Sequence, residues 1–141
     1  MKKIVLLIII LNLVSYSCNS DDDTNPRVYE DLWVLVKMSG TQPNSETTGD
    51  AMEWQEFYDF SDDTTFIKSR TRNNTTIEIF GVYKDSVVQG EAVLFLSYPE
   101  DNEIIGSCSG TPEEQLYFTS ATTMISNWQA CDGPALFYEK R

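Results

Sequence analysis

The stretch AMEWQEFYDFSDDTTFIKSRTR, residues 51–72, decides the fold of this chain. Residues 51–60 and 65–72 each alternate between apolar and polar side chains, which is typical of a β-strand with one buried face. The four residues between them, Ser61-Asp62-Asp63-Thr64, are typical of a turn. The sequence therefore predicts an antiparallel hairpin at the centre of the domain.

The alternation also predicts which side chains of this hairpin face the core. If Phe60 pairs with Thr65, the even-numbered residues of the first strand share a face with the odd-numbered residues of the second. The predicted inner face then consists of Met52, Trp54, Glu56, Tyr58, Phe60, Ile67, Ser69 and Thr71. The predicted outer face consists of Glu53, Gln55, Phe57, Asp59, Phe66, Lys68, Arg70 and Arg72, with Glu53 opposite Arg72 as a favourable ion pair.

Two charged features of the hairpin bear on function. Lys68, Arg70 and Arg72 resemble an anion-binding row, but on an outer face with acids nearby we expect them to be solvated. Glu56 falls instead on the aromatic inner face next to Ser69, where an ionised carboxylate is costly without a partner. Either Glu56 contacts a ligand in a barrel lumen, or it lies near an open rim, or a bulge returns it to water.

Further short strands are expected along the rest of the chain, because alternating or apolar runs are separated by turn residues. Their predicted ranges are 31–39, 75–83, 91–98, 103–108, 115–120, 123–130 and 135–140. No long stretch has the helical period. We therefore predict an all-β domain, an antiparallel up-and-down meander that hides its edges by closing into a small barrel. A two-sheet sandwich is the alternative.

The turn at residues 73–74, two asparagines, decides the orientation of the next strand. A two-residue turn would place Ile77 and Ile79 on the polar face of the hairpin. An odd-length turn with a bulge would place both isoleucines in the core and Glu78 opposite the basic residues of the preceding strand. We expect the second arrangement.

The N-terminus is typical of a removable export signal. Lys2 and Lys3 form a positive start, residues 4–14 are apolar apart from Asn12, and small residues follow. The apolar run is too short to cross a bilayer core, which takes about 20 residues. Residues 1–17 are therefore predicted to be a removed signal peptide.

Two outcomes of cleavage remain open. Ser15 and Ser17 occupy the small-residue positions of an ordinary signal-peptidase site, which would release a soluble protein. Alternatively, Cys18 after a small residue resembles the lipobox of bacterial lipoproteins, in which the thiol is diacylated and becomes the mature N-terminus. Residues 20–23 resemble the acidic signal that sends lipoproteins of the Bacteroidota to the outer face of the outer membrane, and as like charges they also extend a tether. The predicted regions are a lipidated cysteine with an acidic tether over 18–29 and a barrel domain over 30–141.

The three cysteines support lipidation. An odd number in an exported protein calls for an explanation. If Cys18 carries lipid, Cys108 and Cys131 remain as one pair in an oxidising compartment, where disulfides persist. Such a bridge would stabilise the domain by about 3 kcal/mol. The alternative is two separate buried thiols.

The charge and the absent residue types exclude several kinds of function. The chain carries a net charge of −12, and loss of Lys2 and Lys3 with the signal takes the mature chain to −14. Nucleic-acid binding needs a basic face and is not expected. The chain has no histidine, which removes histidine-based triads, general bases and imidazole metal sites. Chemistry based on carboxylates alone would need two acids facing one cleft, and Glu53 and Glu56 point to opposite faces, so no enzymatic activity is expected.

Acidic turns are the remaining candidates for a metal site. Asp59, Asp62 and Asp63, or Asp101 with Glu103, could supply oxygen ligands for calcium. Their spacing matches no calcium-binding loop, and acidic turns are common without metal. We expect neither a metal nor another cofactor.

Four short motifs are spread over most of residues 30–140. They are Trp33-Val34-Leu35-Val36, Ser61-Asp62-Asp63-Thr64-Thr65-Phe66, Gly81-Val82-Tyr83 and Cys131-Asp132-Gly133-Pro134. Together they resemble the lipocalin-like lipoproteins of the Bacteroidota. In that family's usual Asp-Gly-Thr-Phe turn, the glycine stands where this chain has Thr64. The resemblance implies a barrel with an unassigned ligand.

Two functions are consistent with these observations. The first is a surface-anchored module that binds a small apolar or amphipathic molecule inside its barrel, lined by Trp54, Glu56, Tyr58 and Phe60. The second is a protein-interaction or structural lipoprotein of the cell envelope whose barrel is filled. In that case the partner meets the polar loop 40–50 or residues 92–96, which are apolar on both faces and must be covered. The volume of the lumen separates the two.

Overall fold

The computed structural model describes residues 31–141. The predicted signal peptide, lipidated Cys18 and acidic tether lie outside the described residues. No helix within 31–141 has the length and apolar character needed to cross a membrane.

The described chain forms short antiparallel strands in sequence order, with two single 3₁₀ turns at Gly49–Ala51 and Trp128–Cys131. The strands are β1 (Asp31–Ser39), β2 (Thr47–Thr48), β3 (Gln55–Phe60), β4 (Thr65–Arg72), β5 (Thr75–Val88), β6 (Glu91–Ser97), β7 (Glu113–Ser120), β8 (Thr123–Ser126) and β9 (Ala135–Lys140).

These strands close into a barrel. From β3 to β9 each strand pairs with the next along the chain, β1 pairs with both β3 and β9, and β2 is an extra strand on the edge of β1. The result is a closed eight-stranded antiparallel barrel plus one strand, which confirms the predicted all-β meander. Closure pairs the edges of the sheet with each other and leaves few exposed backbone groups.

Four predicted strand ranges are wrong. The strand predicted over 123–130 ends at Ser126, because Trp128–Cys131 form a 3₁₀ turn. β3 begins only at Gln55, because residues 49–51 form a 3₁₀ turn. β5 continues through residues 84–86, which had the composition of a turn, and ends at Gln89-Gly90, where both φ angles are positive as in a two-residue hairpin turn. Residues 103–108 form no strand; they belong to a loop that crosses one end of the barrel.

The predicted register of the central hairpin is shifted by one residue. Phe60 pairs with Phe66, not with Thr65. The Thr64 amide donates to the Ser61 carbonyl, the Ser61 amide donates to the Thr65 carbonyl, and Thr64 has a φ of 68°. This is a turn followed by a bulge with a left-handed residue, which adds one residue to the β4 side.

Because side chains alternate along a strand, this one-residue shift turns every side chain of β4 to the opposite face. Phe66, Lys68 and Arg70 lie on the inner face, and the prediction that Lys68 and Arg70 belong to a solvated row is wrong. Lys68 is 0% exposed and Arg70 is 8% exposed. Arg72 is exposed and forms the predicted ion pair with Glu53.

The expected odd-length turn at residues 73–74 is also wrong. Both asparagines have positive φ, and the turn has two residues. Since the register of β4 is itself shifted, Ile77 and Ile79 still face inward, and Glu78 lies opposite Ser69 instead of a cation. The shifted register of β4 and the two-residue turn each reverse the predicted face. Together they leave both isoleucines on the inner face, as predicted.

Aromatic rings fill the barrel near the β3–β4 turn. The Phe60 ring centroid lies 5.8 Å from that of Tyr58, 5.8 Å from that of Phe66 and 5.1 Å from that of Tyr83. Offset and edge-on pairs at such distances stabilise a core beyond the area that they bury. The hairpin, with Tyr83 of β5, therefore supplies this part of the core.

Replacement of Thr64 by glycine should stabilise the protein. A β-branched residue in the left-handed region is strained by about 1–2 kcal/mol, whereas glycine adopts this conformation freely. We expect the free energy of unfolding of Thr64→Gly, measured by urea denaturation, to rise by about 1 kcal/mol.

The matched control is Thr75→Gly, at an exposed strand position directly after the next turn. Glycine in a strand lowers stability, so this variant should unfold more easily. A Thr64→Gly variant no more stable than the wild type would contradict the role of this turn.

Candidate functional site

The centre of the inner face carries four charged side chains. They are Glu56 from β3, Lys68 and Arg70 from β4, and Glu114 from β7, with exposed fractions of 2%, 0%, 8% and 5%. We call these four residues the ionic network. Its two acids and two bases balance, which is the condition under which buried charges are tolerated.

Glu114 receives the most donors in the network. Its carboxylate accepts hydrogen bonds from Lys68 Nζ at 2.6 Å, from the Tyr58 hydroxyl at 2.9 Å, and from the Tyr98 hydroxyl and the Gly106 amide. Burial raises the pKa of Glu114, but the charge of Lys68 and these hydrogen bonds outweigh it and hold the pKa below its usual value. Glu114 is therefore ionised in the folded protein.

Glu56 occupies the second half of the network. It accepts hydrogen bonds from Arg70 Nε and, at 2.6 Å, from the Tyr138 hydroxyl, and Lys68 Nζ lies 3.5 Å from its Oε1. Lys68 therefore joins the two carboxylates. Glu56 lies inside the barrel as predicted, but its neighbours are these cations, and it lies neither at an open rim nor in water.

Tyrosine hydroxyls surround the network. Burial, together with the nearby carboxylates, raises the pKa of Tyr58, Tyr98 and Tyr138 well above the usual value. The three hydroxyls therefore keep their protons and act as hydrogen-bond donors to the two acids. Both carboxylates of the network are therefore bonded by groups of this chain.

The lumen is filled at the centre of the network, around Lys68. A void large enough for water would leave accessible surface on the side chains around it. Tyr58 and Lys68 are 0% exposed and Tyr138 is 1% exposed, so no such void touches them. Of the predicted ligand-lining residues, Trp54, Glu56, Tyr58 and Phe60 all lie on the inner face, with exposed fractions of 6%, 2%, 0% and 3%. Their contact with a ligand stays a prediction.

A cap covers the end of the barrel above Arg70. We define the cap as residues 98–112 together with the 3₁₀ turn Trp128–Cys131. The Cys108–Cys131 disulfide joins these two segments, which confirms the predicted pair. From the first segment Ile104 and Ile105 are buried, and the Gly106 amide bonds the network.

Arg70 lies between the network and the cap. Its guanidinium is 4.3 Å from the Trp54 ring centroid and 5.9 Å from that of Trp128, distances at which a cation is attracted to an aromatic face. Its pKa is raised, because the charge of Glu56 outweighs the effect of burial. Arg70 Nη2 has no hydrogen-bond partner.

Several surface cavities adjoin these elements, among them one of about 250 Å³ whose walls include Glu114 and Cys108. Two others bear on function. A cavity of about 260 Å³ at the mouth of the barrel lies between the cap and the β4–β5 turn, lined by Arg70, Arg72, Ile77 and Glu103 among others. A second, of about 560 Å³, is an apolar groove on the outside of the barrel, whose walls include Phe80, Val82 and Pro99. We call these the mouth cavity and the outer groove.

Within residues 31–141, no group of three or more cysteine, aspartate or glutamate side chains is arranged to hold a metal ion. Comparison of the chain with known protein families, with curated proteins and with solved structures found no match. The family resemblance drawn from the sequence therefore stays a prediction.

Sequence reasoning missed most of the network. The predicted register places Lys68 and Arg70 outside, and the sequence patterns give no signal for Glu114, Tyr98 and Tyr138. One signal was available, since a buried Glu56 needs a cation and an inward Lys68 and Arg70 would supply it. The need of Glu56 for a cation therefore favours the register in which Phe60 pairs with Phe66 over the predicted register in which Phe60 pairs with Thr65.

Removal of one network partner should be strongly destabilising. Glu114→Gln takes away the ion pair of Lys68 at 2.6 Å, and breaking a buried pair from one side costs about 3–5 kcal/mol. We expect a loss near the lower end, because Glu56 remains 3.5 Å from the ammonium. In the double variant Lys68→Met/Glu114→Gln, which removes both charges of the pair, the loss measured by chemical denaturation should be smaller than the sum of the single losses.

The exposed pair Arg72–Glu53 provides the matched control. Arg72→Gln should change the free energy of unfolding by less than about 1 kcal/mol. A loss of equal size for Arg72→Gln and Glu114→Gln would contradict the special cost of the buried pair.

The network also predicts how stability depends on pH. The folded pKa of Glu114 lies below its usual value of 4.5. As pH falls below that value, the unfolded chain takes up the proton first, so this part of the stability is lost until the folded pKa is reached. Denaturation midpoints measured below pH 5 should therefore fall less steeply for Glu114→Gln than for the wild type, and equal slopes would contradict the ionised state of Glu114.

Proposed function

We propose that this chain is a lipid-anchored lipoprotein of the bacterial outer membrane, facing the cell exterior, whose barrel is a filled scaffold for protein interaction without enzymatic activity. The observation that supports a filled scaffold is the ionic network in the lumen. The features that support the anchor are the export signal, Cys18 and the acidic run at residues 20–23.

The network argues against a carrier of the usual barrel type. A small apolar molecule in the lumen would have to separate Lys68 from Glu56 and Glu114, and each buried charge left without its partner costs several kcal/mol. Burial of apolar ligand surface returns only about 25 cal/mol per Å². The gain from a small apolar ligand is reduced by that cost, which supports a function on the outer surface.

A small-molecule function has one observation in its favour, and it concerns the mouth cavity. Arg70 lines this cavity, and its Nη2 has no hydrogen-bond partner. A buried donor without a partner is costly, and an acceptor group brought by a ligand would relieve that cost. A small amphipathic molecule with a carboxylate or carbonyl, resting on Ile77, is the second candidate.

Native mass spectrometry of the mature chain, extracted from its own host in mild detergent, separates the two candidates. For a filled scaffold we expect the mass of the lipidated chain alone, and no binding of a hydrophobic fluorescent probe by the detergent-free protein. A reproducible extra mass, lost on unfolding, would replace the scaffold by the small-molecule function.

Two controls make this result specific. In Ile77→Trp, which fills the mouth cavity, an extra mass bound there should disappear, whereas a ligand in the lumen would remain. In Cys18→Ala the lipid mass should be absent, and an unmodified Cys18 in the wild type would contradict the anchor. Labelling of the exposed Lys84 by a membrane-impermeant amine reagent on intact cells tests the outward orientation.

A further inference from the structure

The outer groove presents two large apolar side chains, Phe80 and Val82, to solvent. Phe80 is 70% exposed and Val82 is 53% exposed, and within residues 31–141 the exposed large apolar side chains all belong to β5. Phe80 and Val82 point outward because the residue between them, Gly81, is buried and pairs with inward-facing Phe66. Exposed apolar patches of this kind mark interaction sites in soluble domains.

The shape of the groove comes from the point where β6 leaves β5. The last β5–β6 pair is Val82 with Ser97, and a Cβ on Gly81 would lie 2.3 Å from the Ser97 carbonyl oxygen. The chain then turns away through Pro99, which forms the opposite wall. The groove has a volume of about 560 Å³, which is room for a few side chains of a partner.

An unpaired strand edge lies beside the groove. β4 pairs with β5 only as far as Val82, and the Tyr83 amide donates to the Thr64 carbonyl as the last contact on that side. Residues 84–88 pair with β6 on their other edge, and within the described residues no strand pairs with their β4-side edge. Such an edge accepts an additional extended strand.

Carboxylates surround the groove. Asp62 and Asp63 lie in the turn between the lining residues Ser61 and Thr65, and Glu100 and Asp101 directly follow Pro99. Lys84, two residues beyond Val82, is the cation on this face of β5. The local balance is therefore acidic.

The net charge of the domain argues against a second copy of the chain or an anionic membrane as the occupant of the outer groove. Residues 1–30 contribute four acids and three bases to the net charge of −12, which leaves −11 on residues 31–141. Since the ionic network is neutral, that charge lies outside it. A second copy of the domain carries the same charge, and an anionic lipid surface is negative as well, so both are repelled. A cationic partner is attracted.

On these grounds we propose that the outer groove binds an extended segment of a partner protein, with apolar side chains at alternate positions and lysine or arginine at its ends. The alternate side chains match the spacing of Phe80 and Val82 along one face of β5, and the basic ends match the surrounding carboxylates. The inference names the site and the partner chemistry for the interaction function proposed above, and rests on it.

The test is binding of a probe peptide to the mature chain, followed by fluorescence anisotropy. The probe alternates valine and threonine and carries lysines at both ends, and the control peptide carries glutamates instead. We expect saturable binding of the lysine peptide that weakens at high salt, and at least about tenfold weaker binding of the control.

The variants locate the site. Phe80→Ser/Val82→Ser removes the apolar wall at positions too exposed to matter for folding, and should weaken binding at least about tenfold. Val87→Ser is the matched control, since Val87 is 69% exposed on the same strand but does not line the groove. Its affinity should stay within about twofold of the wild type. Unchanged melting temperatures establish that all variants fold.

Each contrary result overturns the inference. Absence of saturable binding to the wild type, or equal loss in Val87→Ser, rules out the groove as the peptide site. A monomer–dimer equilibrium that Phe80→Ser/Val82→Ser abolishes assigns the groove to a second copy, and vesicle binding with the same dependence assigns it to lipid. None of these results places a ligand in the lumen, so failure of this inference is distinguishable from failure of the filled-scaffold proposal, which native mass spectrometry tests.

Discussion

The burial of Lys68 between two carboxylates is the constraint on which the rest of this structure depends. An ammonium with no exposed surface is tolerated only beside acids whose remaining oxygens are also satisfied. Glu56 and Glu114 come from strands on different sides of β4, and their other donors are tyrosines, Arg70 and the amide of Gly106. The network therefore joins β3, β4 and β7 across the interior of the closed barrel.

The turn before β4 and the cap above it both help to bury Lys68 beside its carboxylate partners. The left-handed Thr64 adds the residue that directs Lys68 and Arg70 inward, and without it the acids on the inner face would have no cations opposite them. The cap then brings the Gly106 amide to Glu114 and the Trp128 ring to Arg70. The disulfide secures the loop that makes the first of these contacts. A local backbone conformation and a long-range crosslink thus support one cluster of charges.

Much of the fold could be predicted from local patterns, because strands and their meander order depend on alternation and turn composition alone. The ranges of β1, β4 and β9 are of this kind. The pairing of Cys108 with Cys131 follows instead from the number of cysteines. The register could not be predicted in this way, since it depends on one φ angle at Thr64, a residue type that rarely adopts it. Residues 103–108 have the composition of a strand because Ile104 and Ile105 are buried, yet they are buried by the cap and not by a sheet. In both cases the outcome depends on tertiary contacts that alternation does not encode.

The inside and the outside of this barrel are linked through Gly81. A Cβ at this position would lie 2.8 Å from the Phe66 ring, so the ring that packs in the aromatic core requires glycine opposite it. The same missing side chain lets the Ser97 carbonyl approach β5 at the point where β6 departs, which opens the outer groove between Phe80, Val82 and Pro99. The groove is thus part of how the core closes, and it stays in place as long as the core is intact. A preformed apolar site loses little conformational entropy on binding, which is consistent with the peptide binding that we propose for the outer groove.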